Sequence, residues 1–406
     1  MLQSIGGYPI KVGGSKINLP LPRITVEGNQ FRLNGARWKG WGFQQYQYDF
    51  VEEFYASADQ TDDTHIVMAE TFSGDRAQGA NLIRLRLELW SFIEGTEIAD
   101  LAVKATPISN LIYALNAARK QGLYILLNGC NTVRTVNAPA WYDALTYLER
   151  WDVQEFFWSS VAAAVFAAGH STTILGYDLI NEPYISTDPD ADWYGPGYIG
   201  SDDHFTTVIA RGPGVDSDTA RDWIITLRDA IKAQDPRALV TIGVLPFYTG
   251  PFGVDNTQDL LDFLSPHLYP PSAPFGDPTP IEDRLEDVAG FAAATIPNVV
   301  GETTPWGYEE DNDAFYAAAT ESMEGLISFS YGYGANGFTS PPKPPAPDSN
   351  PALIVYWLRA FANYRADFLY APWFEDMTTI AAACIGDSNA YASGGFTPPG
   401  GQTANA

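Results

Sequence analysis

Apolar residues along this chain fall into two alternating kinds of run. "ANLIRLRLEL" (80–89), "LYILLNG" (123–129), "ILGYDLINEP" (174–183), "ALVTIGVLP" (238–246) and "NVVGETTP" (298–305) are short and nearly continuous. Strands buried on both faces read that way. Between them lie longer stretches with apolar residues at helical spacing: 108–122, 153–169, 219–236, 281–297, 312–325 and 351–370. Stops include the glycines Gly122 and Gly169 and the "DP" at 235–236, as helices commonly show. With "RWKGWGF" (37–43) as the first strand, "LLDFLSPHLYP" (260–270) as the sixth and "GLISFSYGYG" (325–334) as the eighth, strands are predicted near 38, 83, 125, 178, 241, 267, 300 and 328. Ahead of the first, "RITVEGNQFRLNGARW" (23–38) carries the turn signals "EGN" and "NG" of hairpins.

Eight β/α steps over about 335 residues (36 to 370) predict an α/β fold, one (β/α)8 TIM barrel with long βα-loops. A doubly wound sheet would carry a Gly-rich phosphate loop, and GxGxxG is absent. The expected organisation is an N-terminal arm (1–23), the barrel (24–371) and a partly low-complexity C-terminal extension (372–406). The acidic loop 181–205 and the Pro-rich stretch 339–351 stand outside the repeat.

A barrel of this kind places reacting groups at the C-terminal ends of its strands. Glu182 ends the fourth strand and Glu302 the seventh. Two carboxyls facing each other across a barrel mouth fit glycoside hydrolysis. A separation of ~5 Å gives retention, and ~6.5–9.5 Å gives inversion with an interposed water. Arg84 on the second strand would keep a nucleophilic carboxylate ionised. Asn181 is suited to a sugar hydroxyl. His267 and Tyr269, in "HLY", share a strand face, from which the tyrosine can orient the nucleophile.

Composition narrows the class. The formal charge is −26 and no Lys/Arg cluster occurs, which argues against nucleic acid and anionic membrane surfaces as partners. No apolar run reaches the ~18 residues of a membrane-spanning helix, and the first 20 residues lack the pattern of a signal peptide. The compartment stays open: cytoplasm, leaderless export or part of a larger assembly. Only two cysteines occur, Cys130 and Cys384, so a disulfide scaffold is excluded. The four histidines are scattered without metal-ligand spacing, "DPDADW" (188–193) lacks the glycine and glutamate of a calcium loop, and no cofactor is expected. Aromatics make up 14% of the chain, more than a core alone requires. Trp41, Trp90, Trp141, Tyr184, Trp193 and Trp306 fall in expected βα-loops, where indole faces can stack on sugar rings.

Several of these motifs together resemble clan A glycoside hydrolases, and family 5 in particular. "NEP" at 181–183 resembles the acid/base strand, and "GE" at 301–302 the nucleophile strand. "NLIR" at 81–84 resembles the family's N-x-x-R, and "HLY" at 267–269 its H-x-Y. The resemblance covers roughly residues 24–335, with the motifs in order. It implies a retaining hydrolase of β-linked glycans or glycoconjugates without a cofactor. Glu182 would be acid/base and Glu302 nucleophile, with Arg84, Asn181, His267 and Tyr269 in support. Two departures stand out. "LLNGC" puts Asn128 and Cys130 where the family often has D-x-H, and "FSYGYG" replaces the strand-eight tryptophan. Asn128, Trp306, Trp41 and Tyr331 complete the expected substrate contacts, with Phe329 or Tyr333 as alternatives to Tyr331. The competing expectations are a carbohydrate-binding barrel without activity and a glycan-degrading module of a larger assembly such as a viral particle.

Overall fold

The computed structural model describes residues 11–12, 15–16, 20–45, 53–77, 80–129, 139–185, 206–209, 217–246, 251–271, 279–303 and 309–328. Expectations for the helix at 351–370, the Pro-rich stretch, the C-terminal extension, Cys130, Cys384 and most of the loop 181–205 lie outside these residues.

Eight parallel strands form one sheet: β1 (Gly40–Gln45), β2 (Leu82–Arg86), β3 (Tyr124–Asn128), β4 (Ile174–Asn181), β5 (Val240–Val244), β6 (Ser265–Pro266), β7 (Val299–Thr303) and β8 (Gly325–Ser328). The hydrogen-bonded order runs from β6 back to β1, then to β8 and β7. The ring closes between β6 and β7: the Leu264 N–H donates to Pro297 O (2.8 Å), the Val299 N–H to Leu264 O (2.8 Å) and the Leu268 N–H to Glu302 O (3.0 Å). The protein is therefore a TIM barrel, as the alternation of periods predicts.

Helices α1 (Asp63–Ala77), α2 (Ala105–Gln121), α3 (Tyr147–Ala167), α4 (Ser217–Gln234), α5 (Val254–Thr257), α6 (Ile281–Ala292) and α7 (Glu309–Ser322) follow β1 to β7 in turn. Gly122 and Gly169 both sit at φ 73°, the left-handed conformation that lets a chain leave a helix cheaply. No helix among the described residues is long and apolar enough to cross a membrane.

α1 is not legible from apolar spacing. Its buried residues include His65, Met68, Thr71, Phe72, Asp75 and Arg76, four of them polar. Burial pushes the Asp75 carboxyl well up, against the hydrogen bond that Gln45 Nε2 donates to it (3.0 Å). His65 is satisfied on both ring nitrogens, by Asp62 Oδ1 (2.8 Å) and Asn110 Oδ1 (3.0 Å).

The core has two parts. One lies outside the barrel wall, between strands and helices, and includes Trp41, Phe43, Ile83, Leu85, Ile125 and Leu127. The other lies inside the barrel at its N-terminal end. There Leu82, Tyr124, Leu126, Phe263, Val299 and Ile327 meet Phe31, Leu33 and Trp38. The last three come from a three-stranded antiparallel sheet (Ile24–Glu27, Gln30–Leu33, Ala36–Trp38) that plugs the barrel floor. Its second turn is Asn34–Gly35, with φ 52° and 83°, the positive values that "NG" hairpins need. The stretch read as one strand, "RWKGWGF", is thus split between plug and barrel. Truncating Trp38, fully buried here, removes an aromatic worth about 3–5 kcal/mol. Hydrophobic packing closes the floor, so the opposite end is left for polar side chains.

Candidate active site

Polar residues take over the barrel interior at the C-terminal ends of the strands, and Arg84 organises them. Its neighbours on the inward face of β2 are Leu82 below and Arg86 above, by the period-two alternation of a strand. The guanidinium contacts Asp178 through Nε (2.8 Å) and Nη2 (2.7 Å), Gln44 Oε1 through Nη1 (2.8 Å) and Asn181 Oδ1 through Nη2 (2.9 Å). Nη1 also makes an ion pair with Glu302 Oε1. These contacts match the five donors of a guanidinium. Burial alone would lower the Arg84 pKa; Asp178 and Glu302 outweigh it and raise it, so the group stays charged. Asp178, on β4, completes its own shell by accepting the Gly243 N–H (2.6 Å).

Glu302 ends the inward face of β7. The Tyr269 hydroxyl donates to Oε2 (2.9 Å), and His267 Nδ1 lies 3.5 Å from the same oxygen. Burial would push this carboxyl up. The charges of His267 and Arg84, with hydrogen bonds from Tyr269 and Gln44, win and hold it below the ordinary glutamate range. Burial, with the negative charges of Glu302 and Glu182, pushes the Tyr269 phenol well up, which keeps it a donor.

Glu182 follows β4 directly. Its backbone is at φ 48°, left-handed for a residue with a side chain, and costs about 1–2 kcal/mol. The Glu182 N–H donates to Gly243 O (2.6 Å) and its Oε1 lies 2.7 Å from His267 Nδ1, so strand and side chain both pin the strained residue. The ligand oxygens of Glu182 and Glu302 and a His267 ring nitrogen all lie within 4.8 Å of one another. Six residues singled out in the sequence therefore converge: Arg84, Asn181, Glu182, His267, Tyr269 and Glu302.

Asn128 ends β3 in register with Arg86 on one side and Asp178 on the other. It is buried, and its Nδ2 has no partner among the described residues. Arg86 forms an ion pair with Glu88, two residues on along the same face.

Trp41 corrects the sequence reading. It lies on β1 and not in a loop, is 1% exposed, and packs outside the barrel wall. β1 begins at Gly40, so alternation sends Gln44 to Arg84 and turns Trp41 and Phe43 outward. Trp90 is likewise buried, edge-on to Trp141 (5.7 Å) and Tyr142 (5.1 Å). Trp141 is half-buried, and its Nε1 donates to Gly95 O (3.0 Å). Trp193, Trp306, Phe329, Tyr331 and Tyr333 lie outside the described residues, as does the side chain of Tyr184. Asp178 and Gln44 escaped the sequence reading. Asp178 had a signal, a lone carboxylate inside the apolar run "ILGYDLI", which must find a buried partner.

Gly243 makes the convergence possible. A Cβ there would lie 2.7 Å from His267 Nε2, 2.8 Å from Arg84 Nη2 and 3.2 Å from Asp178 Oδ2. Gly243→Ala is expected to displace this floor, destabilise by about 1–3 kcal/mol and reduce turnover about 10²-fold. Thermal melts and kinetics on folded protein check both, and wild-type turnover in the variant would contradict the packing described.

A family model described as cellulase (glycosyl hydrolase family 5) matches residues 48–334. The chain is 22% identical over 280 residues to mannan endo-1,4-beta-mannosidase A of Aspergillus aculeatus, covering 61% of this chain and 64% of that protein, less than two thirds of the relative's length. Among solved structures, the β-mannanase of the blue mussel Mytilus edulis superposes with a TM-score of 0.56 at 16% identity, over 89% of this chain and 96% of that one. The endo-1,4-beta-mannanase of Rhizomucor miehei gives 0.55 at 15% identity, over 75% and 90%. At these identities the superpositions speak for the fold. The family match spans well over half of the chain, and this protein belongs to glycosyl hydrolase family 5.

Proposed function

We propose that the protein is a retaining glycoside hydrolase that cleaves β-1,4-linked mannan. The observation that carries the reading is the approach of Glu182 and Glu302, with ligand oxygens within 4.8 Å. Such proximity suits a double displacement, in which no water needs to fit between the two carboxyls in the first step. Mannan as the substrate rests on the printed names of the relatives.

In the first step a Glu302 oxygen attacks the anomeric carbon. The bond from that carbon to the leaving oxygen breaks, and Glu182 gives that oxygen its proton. A glycosyl ester on Glu302 results. In the second step Glu182, now a carboxylate, takes a proton from water, and the water oxygen displaces Glu302. Two inversions give net retention. Arg84 and Tyr269 hold the Glu302 oxygens, so its charge is in place before substrate arrives and needs no reorganisation during reaction. His267 fixes the Glu182 carboxyl at 2.7 Å. Asn181, held by Arg84, keeps its amide N–H groups for a sugar hydroxyl, and Asn128 Nδ2 is a second donor of this kind. Trp306 and an aromatic among Phe329, Tyr331 and Tyr333 are the proposed stacking platforms.

The test is sugar release from mannan, glucomannan, cellulose, xylan and laminarin. Release is expected from mannan above the others. Release only from another glycan would replace the substrate. Binding to a glycan without release from any would leave a carbohydrate-binding barrel.

A further inference from the structure

We propose that Glu182, His267 and Glu302 also form a site for a zinc-like divalent cation, which binds in competition with substrate. The inference starts from donor chemistry. One imidazole nitrogen and two carboxylates, from the ends of β4, β6 and β7, present one ligand atom each within 4.8 Å of one another. Two carboxylates with one imidazole make a donor set for a borderline metal such as zinc, with a further position open to water. Calcium would ask for six to eight oxygens, and magnesium for a wetter octahedral shell.

The distances are close to what such an ion needs. Metal–ligand bonds of about 2.0–2.2 Å in a tetrahedron put ligand atoms about 3.3–3.5 Å apart. His267 Nδ1 and Glu302 Oε2 are already 3.5 Å apart. Nδ1 and Glu182 Oε1, at 2.7 Å, are in hydrogen-bond contact and must open by about 0.6–0.8 Å, while the ligand oxygens of Glu182 and Glu302, within 4.8 Å of each other, must draw together. That movement falls to Glu182, the most exposed of the three at 13% for its side chain. The other two are fixed: His267 is 1% exposed, and Glu302 is held by Arg84 and Tyr269.

Charge favours the same ligand. Arg84 and Asp178 form a buried pair of opposite sign beneath the site. Once the proton shared by His267 and Glu182 has left, Glu182 and Glu302 present two negative charges to a neutral imidazole, which a divalent ion neutralises. The ion takes the place of the proton between His267 and Glu182, and that proton leaves to solvent. Both carboxylates required by the proposed reaction are then engaged.

Calorimetry of the 406-residue chain with zinc chloride tests the site, in excess magnesium to occupy weak carboxylate sites elsewhere on this acidic chain. One zinc ion per chain is expected, with affinity at least ~10-fold weaker in His267→Gln and Glu182→Gln. Saturating mannan oligosaccharide is expected to displace it. Thermal melts identify any variant that has not folded, and the remaining variant then decides. Undiminished zinc affinity in folded variants would overturn the site. Zinc that binds at the site but is not displaced would overturn the competition. Zinc binding is read without turnover, so its failure is distinct from failure of the hydrolase reading, on which only the competition rests.

Discussion

Glu302→Gln is expected to lower turnover on the glycan by at least about 10³-fold, with KM little changed. The substitution preserves size and one acceptor but removes the charge that would attack. A neutral amide oxygen is a poor nucleophile, and the ester intermediate does not form. The surroundings of Glu302 suit the proposed role. Its pKa is held down by His267 and Arg84, by Tyr269 and by Gln44, against the upward push of burial. The carboxylate therefore stays ionised into the acid range, and it contributes stability that is present above its unfolded pKa of about 4.3 and is lost as pH falls through the lower folded value. The fold should survive the change. Arg84 keeps Asp178, Gln44 and Asn181, while either Arg84 or Tyr269 loses an acceptor on residue 302. That loss costs about 1–3 kcal/mol. A domain of ordinary stability, about 5–15 kcal/mol, tolerates it. Melting curves recorded beside the kinetics separate the two effects, and wild-type turnover in the variant would remove Glu302 from the reaction.

The second large effect is expected at Glu182, and it depends on the leaving group. Glu182→Ala should reduce hydrolysis of mannan by about 10²–10⁴-fold, the usual contribution of a positioned proton donor. An aryl mannoside whose phenol leaves without protonation should lose far less in kcat/KM, because its first step does not need the acid. Turnover of that substrate should then stall at the glycosyl-enzyme, where the base is missing. Azide, which attacks without base assistance, should restore it and yield a glycosyl azide with retained configuration. Equal losses on both substrates, with no azide rescue, would point to a structural role for Glu182. Such a role is physically conceivable, since its carboxyl receives His267 and its backbone bonds Gly243. The leaving-group dependence is what distinguishes chemistry from support.

Much of this site could be read before folding, because it is built from strand ends. A glutamate after a buried run must surface at the rim of the barrel, and Glu182 and Glu302 do so from β4 and β7. His267 and Tyr269 share a face by strand alternation, whereas Arg84 was separated from Arg86, on the same face, only by the resemblance of "NLIR" to a family motif. What the sequence withheld depends on packing between distant segments. His267 and Glu182 are 85 positions apart, and Arg84 and Glu302 are 218 apart. The error at Trp41 is one of strand extent: β1 runs on to Gln45, past the end of the predicted run 37–43, so the indole belongs to the barrel wall and not to the loop that follows. The missed helix α1 has the opposite cause. Its buried face holds His65, Thr71 and Asp75, so a search for apolar spacing passes over it. The buried pair of Arg84 with Asp178 was half visible, since a charge in an apolar strand demands a partner without naming it.

The most direct test is to trap the intermediate. Wild-type protein would be incubated with a 2-deoxy-2-fluoro mannoside bearing a good leaving group, digested and sequenced by mass spectrometry. A glycosyl ester on Glu302, formed as activity is lost and released as activity returns, is the expected result. A label on another residue, or steady hydrolysis of mannan with product of inverted configuration and no label, would contradict the double displacement and with it the role of Glu302.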